Sequence, residues 1–179
     1  LGRRGVGVVG RHPHDRDYVL RRHHVVDPQG QPAGPAQHPG PGADRVRPVD
    51  VVLFGGASLA SGKPEPLGDT WEWDGRAWRR VDVAGPGARD HLAMTYSPVH
   101  RAIVLHSGGT PSAGMLADTW LYDGRAWARL LDSGPARGRH RLAYDPVERA
   151  VLLYGGYDGR RRTSEIWALR SNAWERLTP

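Results

Sequence analysis

The side chains best suited to bind a charged ligand stand together near the C-terminal end of the sequence. Tyr157 and Asp158 are followed by three consecutive arginines, Arg160, Arg161 and Arg162. A tyrosine ring offers a flat surface, and guanidinium groups donate several hydrogen bonds to anionic oxygens. We predict a candidate ligand-binding site in this segment; its structural alternative is a solvated basic turn.

Histidines are the second group that could do chemistry. Five of the nine fall within the first 49 residues, with His-x-His and His-His spacing that suits a metal ion. The same stretch is rich in arginine, so biased composition explains them more simply and no metal site is predicted. His91 and His140 recur before an apolar run and are expected to occupy matched positions of a repeat, so they are interpreted as structural hydrogen-bonding residues. The five N-terminal histidines are His12, His14, His23, His24 and His38.

Acidic residues suggest acid–base catalysis only at first sight. Asp69, Asp118 and Glu165 recur at intervals of 49 and 47 residues. Residues that recur once per structural unit are expected to lie far apart, whereas paired carboxylates must lie within about 10 Å of each other. Paired glycines recur as well, but no helical pattern follows them, so they form no phosphate-binding loop. No catalytic residue, metal or cofactor is therefore predicted.

Composition favours an all-β chain. The 179 residues include 24 Gly and 15 Pro, which leaves little room for long helices. There is no cysteine, which excludes disulfides and thiolate metal sites. No apolar stretch is long enough to predict a membrane-spanning helix.

The first 49 residues differ from the rest. They carry eight Arg against four Asp, net +4, and the remaining residues carry 17 basic against 15 acidic residues, net +2. Their Gly, Pro, Arg and His content cannot bury enough apolar surface to offset chain entropy, so residues 1–49 are predicted to be disordered. Both a native linker and a stretch read in a non-native frame fit this composition.

From residue 50 onward the sequence repeats three times. An apolar run ends in paired glycines in each unit, and two tryptophans seven residues apart follow it. Repeats of this length indicate one supersecondary unit used several times. The repeated residues are Gly55, Gly56, Trp71 and Trp78; Gly108, Gly109, Trp120 and Trp127; and Gly155, Gly156, Trp167 and Trp174.

Each unit predicts four antiparallel strands, because short alternating apolar runs are separated by turn residues. In the second unit they span about His91–Tyr96, Ala102–Leu105, Thr119–Tyr122 and Ala126–Leu130. Asp-Gly pairs at 74–75 and 123–124 predict tight hairpin turns. With these pairs central, Trp71 is expected opposite Trp78, and Trp120 opposite Trp127.

The unit resembles the Kelch repeat. Arg89 with His91, and Arg137 with His140, precede a first strand; Gly-Gly ends the second; a Trp lies on the fourth. Tyr-Asp-Pro at 144–146 and the Asp-Thr-Trp segments are similar to bacterial Kelch proteins, and 24 Arg against one Lys suits a GC-rich genome. The resemblance implies a partial β-propeller of two and a half to three four-stranded blades, at about 50–82, 89–130 and 137–177.

The resemblance also implies a function. Kelch propellers are binding or scaffold modules, so protein or carbohydrate recognition by blade-face loops is expected, without nucleic acid, since the repeats show no basic stripe. A fragment of a Kelch-like epimerase or oxidase is an alternative, although the Cys–Tyr copper type needs a cysteine; a non-functional gene remnant is another. Propellers close with about four to eight blades, so missing blades from a longer chain, or self-association, are expected.

Overall fold

The structure, a computed structural model, describes residues 51–177, and the predicted disordered segment 1–49 lies outside them. The described residues form strands and turns, and they include no helix that could cross a membrane. The strands are β1 (Val51–Phe54), β2 (Ala57–Ser58), β3 (Glu65–Pro66), β4 (Thr70–Trp73), β5 (Trp78–Val81), β6 (Ala93–Ser97), β7 (Ala102–His106), β8 (Gly109–Thr110), β9 (Gly114–Met115), β10 (Thr119–Tyr122), β11 (Trp127–Leu131), β12 (Arg141–Asp145), β13 (Ala150–Tyr154), β14 (Ile166–Arg170) and β15 (Ala173–Leu177).

Three antiparallel sheets account for most of the strands. Sheet I has the order β1-β4-β5, sheet II β11-β10-β7-β6, and sheet III β12-β13-β14-β15. The short ribbons β2-β3 and β8-β9 lie in the loops of the first two units. The four strands predicted for the second unit agree with β6, β7, β10 and β11 to within two residues. The all-β prediction is therefore confirmed for the described residues.

The sheets stack face to face, and the tryptophan-bearing face of each covers the back of the sheet before it. Between sheets I and II, Phe54 packs its ring edge-on against Trp127 with centroids 5.2 Å apart. Between sheets II and III, Val104 of sheet II lies in one core with Val151 and Leu153 of sheet III. Period-two alternation sends opposite sets of side chains to the two faces, which is why one short strand can serve two cores.

The first strands of sheets II and III lie beside each other. β6 and β12 contact along their length although they belong to different sheets. Because β6 is an edge strand of sheet II and β12 an edge strand of sheet III, these two edges converge while the opposite edges, β11 and β15, lie outermost.

The predicted tryptophan pairing is wrong by two residues, because Trp78 lies opposite Trp73 and not opposite Trp71. Trp73 pairs with Trp78 at a centroid distance of 5.6 Å, and Trp71 faces Arg80. The turn has four residues, because Asp74 Oδ1 accepts the backbone N–H groups of residues 76 and 77, each at 2.9 Å. The second unit repeats this arrangement, with Tyr122 opposite Trp127 and Trp120 opposite Arg129.

The predicted glycine pair of the second unit is also displaced by one residue. Gly55 and Gly56 have φ of 64° and 98°, and Gly155 and Gly156 have 66° and 98°. In the second unit these angles belong to Ser107, at 57°, and Gly108, at 94°. The Ser107 hydroxyl, which has a single proton to donate, lies within hydrogen-bond distance of the Leu116 and Arg137 carbonyl oxygens and accepts the Arg137 backbone N–H at 2.7 Å. These contacts hold a non-glycine residue in a conformation that favours glycine.

Candidate functional site

A buried ion pair fixes the segment that leads into each first strand. Arg89 donates to both carboxylate oxygens of Asp118, at 2.6 and 2.9 Å, and Trp120 Nε1 donates to the same carboxylate at 2.7 Å. Burial alone would raise the pKa of Asp118. The hydrogen bonds from Arg89 and Trp120 lower it by more than burial raises it, so the pKa of Asp118 lies below its usual value. The third unit repeats the device, because Arg137 and Trp167 both donate to Glu165.

These anchored segments bring three loops together at one end of sheets II and III. Gly138 and Tyr157 exchange backbone hydrogen bonds of 2.9 and 2.8 Å. The Arg139 N–H donates to the His91 carbonyl at 2.9 Å. The link between the second and third units is therefore joined to the loop after β13 on one side and to the segment before β6 on the other.

The three loops enclose a cleft of about 740 Å³. Three of its lining residues are glycines that are packed against other protein atoms: an added Cβ would lie 2.8 Å from Met115 Sδ at Gly138, 3.2 Å from the Thr163 carbonyl at Gly155 and 2.8 Å from the Gly138 carbonyl at Gly156. Its walls carry arginine, tyrosine, histidine and methionine side chains. The lining residues are His91, Met115, Gly138, Arg139, Arg141, Tyr154, Gly155, Gly156, Tyr157, Arg162 and Thr163.

Three arginines give the cleft its charge. The guanidinium groups of Arg139, Arg141 and Arg162, called the cleft arginines below, have no carboxylate within salt-bridge distance in the described part of the chain. Arg141 donates one hydrogen bond, to the His140 carbonyl at 3.3 Å. The lining contains no Asp or Glu, so the positive charge of the cleft is not neutralised from within.

Two tyrosines supply flat surfaces beside these charges. Tyr154 is 56% exposed and pairs directly across the strands with Arg141, so both side chains project from the same face of sheet III. The hydroxyl of Tyr157 donates to the Gly159 carbonyl at 2.9 Å, which holds its ring at the rim. The cleft thus combines free cations with an exposed aromatic ring, a combination suited to an anion that also carries an apolar face.

Only part of the predicted ligand-binding segment lines the cleft. Tyr157 and Arg162 line the cleft, whereas Arg160 and Arg161 do not. Asp158 caps the turn, because its Oδ1 accepts the backbone N–H groups of Arg160 and Arg161 at 2.8 Å each. These hydrogen bonds, from Arg161 first and then Arg160, lower the pKa of Asp158.

Three important lining residues were missed by sequence reasoning. Arg141 begins β12, Arg139 lies two residues before it, and Tyr154 ends β13, so the tyrosine is at least 13 residues from either arginine and meets them only through strand pairing. The sequence could have identified this pair if the alternating apolar residues of β12 and β13 had been aligned with each other. That alignment places Arg141 directly opposite Tyr154.

A pair of buried histidines, His140 and His106, lies next to Gly156, one of the residues that line the cleft. His140 is fully buried, its Cβ would meet a Cβ added at Gly156 at 2.9 Å, and its ring lies 5.7 Å from that of His106. His106 Nδ1 bonds Thr119 Oγ1 at 2.9 Å and its Nε2 bonds the Pro135 carbonyl at 3.1 Å. Neither ring nitrogen of His140 has a hydrogen-bond partner among the described residues.

The expected match between His91 and His140 is wrong. His91 and Arg139 share the same left-handed backbone, with φ of 55° and 59°, and therefore occupy equivalent positions. His140 follows Arg139 as Leu92 follows His91, so it replaces a leucine. The hydrogen-bonding role predicted for it is not observed, since its imidazole nitrogens are unbonded within residues 51–177.

Burial sets the protonation of this pair. Desolvation, opposed by the Pro135 carbonyl and Asp118, lowers the pKa of His106 to about 4. Desolvation, with the neighbouring His106 and Arg137, lowers the pKa of His140 to about 3, against the backbone of Arg137 and His106, which raises it. Both imidazoles are neutral at pH 7.

Metal-binding groups are not assembled in the described part of the chain. Residues 51–177 contain no cluster of three His, Cys, Asp or Glu side chains that could hold an ion. The five N-terminal histidines lie outside these residues.

No family model matches the chain, and no curated protein matches it.

Proposed function

We propose that residues 51–177 are part of a Kelch-type β-propeller that serves as a binding module. Two four-stranded sheets of the same strand order and a three-stranded sheet without the first strand stack face to face, and the first strands of the two complete sheets, β6 and β12, converge. Propeller blades are four-stranded sheets packed around an axis with their first strands innermost. The convergence of the first strands supports this arrangement.

Side-chain contacts repeat in the same way. Trp127 Nε1 donates to Thr70 Oγ1, and Trp174 Nε1 to Thr119 Oγ1, both at 2.9 Å and both from one sheet to the sheet before it. A contact that recurs between successive sheets favours a rotationally repeated structure over a sandwich of two unlike sheets. Since propellers close with about four to eight blades, we propose that further blades come from a longer chain or from a second copy.

The binding role follows from the cleft. It lies where the loops after β13 meet the link before β12, and loops held by a rigid frame are the usual place for recognition. The single observation that carries the proposal is that the cleft arginines have no carboxylate partner within residues 51–177 and line a cleft beside an exposed tyrosine. Protein and carbohydrate partners both fit this description.

Array binding tests the proposal. The 179-residue chain should bind a limited set of glycans or peptides on mixed arrays, and Arg162→Ala should lose that binding. Arg160→Ala is the matched control, because it removes the same charge from the same turn outside the cleft lining. Equal loss in both variants, or no selective binding by the parent chain, would overturn the binding role of the cleft.

A further inference from the structure

Successive sheets meet through a ring and an indole, and this contact occurs twice in the chain. Phe54, at the end of β1, packs against Trp127 of sheet II with centroids 5.2 Å apart. His106, at the end of β7, packs against Trp174 of sheet III at 4.6 Å. Tyr154 ends β13 in the same position on sheet III, but its ring is 56% exposed. The back of sheet III therefore presents one half of a contact whose other half no described residue supplies.

The backbone beside these rings follows the same pattern. The Gly56 N–H donates to the Arg89 carbonyl at 2.9 Å, so the link to the next unit lies over this glycine. The Gly108 N–H donates to the Arg137 carbonyl at 3.0 Å in the same way. The Gly156 N–H has no backbone acceptor within residues 51–177. Sheet III is thus uncovered at its backbone as well as at its ring.

The acceptor for an incoming indole has changed place on sheet III. Thr70 and Thr119 accept the indole N–H groups on sheets I and II, whereas sheet III has Ile166 at this position. Tyr154 is the cross-strand neighbour of Ile166 and carries a hydroxyl, which can accept a hydrogen bond. The back of sheet III, called the receiving face below and marked by Tyr154 and Ile166, therefore still offers a ring and a hydroxyl to an indole.

The chain itself carries a tryptophan face that could cover the receiving face of a second copy. Trp78 occupies on sheet I the position that Trp127 and Trp174 occupy on sheets II and III. Neither Trp78 nor its cross-strand neighbour Trp73 belongs to a core cluster of residues 51–177. Sheet I of one copy can thus pack on sheet III of another as sheet II packs on sheet I.

A charged corner of the receiving face favours sheet I over a complete four-stranded sheet. On sheet II, Ala93 of β6 is buried in one core with Leu142 of β12, so one first strand covers the other. Arg141 takes the place of Ala93 on sheet III, as the strand registers show. A four-stranded sheet would bury this guanidinium, at a cost in free energy. Sheet I has no first strand within residues 51–177, so its approach leaves Arg141 in water.

We propose that two copies of the chain associate head to tail, with sheet I of each on the receiving face of the other. Two such contacts related by a twofold axis join six sheets into one ring, within the four to eight with which propellers close. This inference rests on the propeller proposed above and commits its further blades to a second copy. It places Tyr154 in the interface, so recognition by the cleft then uses the cleft arginines and Tyr157.

Sedimentation velocity of the 179-residue chain over a concentration series tests the stoichiometry. We expect a monomer that converts to a dimer and to nothing larger, because the second contact closes the ring. Ile166→Lys on the receiving face and Trp78→Lys on the tryptophan face should each weaken dimerisation by at least about tenfold. Arg141→Glu is the matched control on the receiving face. It should leave the dimer constant within about twofold of the parent value, since this side chain stays in water.

Mixing the two lysine variants tests the head-to-tail geometry. The Ile166→Lys chain keeps its tryptophan face, and the Trp78→Lys chain keeps its receiving face. With a fluorescent label on one variant, the mixture should show heterodimers at concentrations where each variant alone is monomeric. Heterodimers also show that both variants are folded.

Other results would overturn the inference in distinguishable ways. Growth beyond the dimer would mean that the head-to-tail contact does not close. Weakening by Ile166→Lys with no effect of Trp78→Lys would mean that two receiving faces pair with each other. Equal weakening by Arg141→Glu would place a strand over that residue, which sheet I does not provide. A monomeric parent chain that keeps its array binding would overturn the dimer alone, whereas a dimer that binds nothing on the arrays would overturn only the recognition role.

Discussion

At the scale of single residues, the least ordinary feature of the chain is a histidine used as a core residue. His140 occupies the position that Leu92 holds one unit earlier, and it is fully buried between sheets II and III. The titratable or charged groups that act on it are His106 and Arg137, whereas Asp118 and Arg89 act on His106. No carboxylate of the described residues acts on His140, so its protonation places a cation beside an arginine and a second imidazole in a buried site.

We therefore expect the fold to lose stability on mild acidification. His140 and His106 have pKa values of about 3 and about 4 in the folded chain against 6.5 when unfolded, so the unfolded state binds more protons below pH 6.5. The stability that the two neutral imidazoles contribute is present above about pH 6.5. It is lost as the pH falls from there toward the folded pKa values of about 4 and about 3. Between pH 7 and 5 the free energy of unfolding should fall by about 2 kcal/mol for each of the two histidines. Urea unfolding at several pH values measures the slope.

His140→Leu provides the control for this prediction. It restores the residue of the preceding unit, so it should raise stability at pH 7 by about 1–3 kcal/mol and remove about half of the loss between pH 7 and 5. The carboxylates with lowered pKa, Asp118 and Glu165, titrate below this window and should not contribute. A parent chain whose stability is constant from pH 7 to 5 would contradict the prediction.

Residue patterns predicted part of the candidate site and missed the rest for a definable reason. Tyr157 and Arg162 were found because both belong to one short, conspicuously basic segment, 157–162. Arg141 and Tyr154 were missed because only strand register brings them together. The match of His91 with His140 failed because the equivalent position requires a left-handed backbone, which His91 and Arg139 both adopt, and no particular side chain.

At the scale of elements, the indoles of the fourth strands of sheets II and III, Trp127 and Trp174, each join their own sheet to the sheet before it. Trp127 packs against Phe54 and Tyr122, and its Nε1 donates to Thr70 Oγ1 within the core. Thr70→Val keeps the volume and removes the acceptor, so a buried donor is left unpaired at a cost of about 1–3 kcal/mol. Chemical denaturation measures this loss. Thr95→Val, on β6, is the control: Thr95 makes no side-chain hydrogen bond within residues 51–177, and an equal loss there would contradict the assignment.

The segments that link successive units pack tightly against the indoles of Trp127 and Trp174. A Cβ at Gly85 would lie 2.6 Å from Trp127 Cδ1, and one at Gly134 would lie 2.8 Å from Trp174 Cδ1. Gly85→Ala and Gly134→Ala should each destabilise the fold by about 1–3 kcal/mol through overpacking. A Cβ added at Gly87 would have no heavy atom within 4 Å, so Gly87→Ala should be neutral or slightly stabilising. Equal unfolding midpoints for all three variants would contradict this.

Element positions were more predictable than their register. Apolar runs and Gly punctuation located the strands of the second unit closely, because strand content depends on local alternation. The hairpin register was predicted from Asp-Gly as a two-residue turn, but the Asp74 carboxylate accepts two backbone N–H groups and widens the turn to four residues. Side-chain capping of this kind shifts which tryptophans meet without changing the strands themselves.

At the scale of the whole molecule, sheet III differs from the other two in leaving an apolar face open. The backs of sheets I and II are covered by the next sheet, whereas Tyr154 and Ile166 on the back of sheet III are 56% and 37% exposed. Ile166 stands where the covered sheets have Thr70 and Thr119, the acceptors for the next indole. The back of sheet III thus remains an open surface in this chain.

An open sheet face of this kind favours association, since burying it against another sheet removes apolar surface from water. We expect the 179-residue chain to form larger species as its concentration rises in sedimentation velocity runs, and Ile166→Thr to shift this to higher concentration. Val147→Thr should have no effect, because Val147 is 86% exposed in a turn away from this face. A parent chain that stays monomeric across the series and unfolds reversibly in one step would show that three sheets suffice for stability. It would remove the reason to expect further blades.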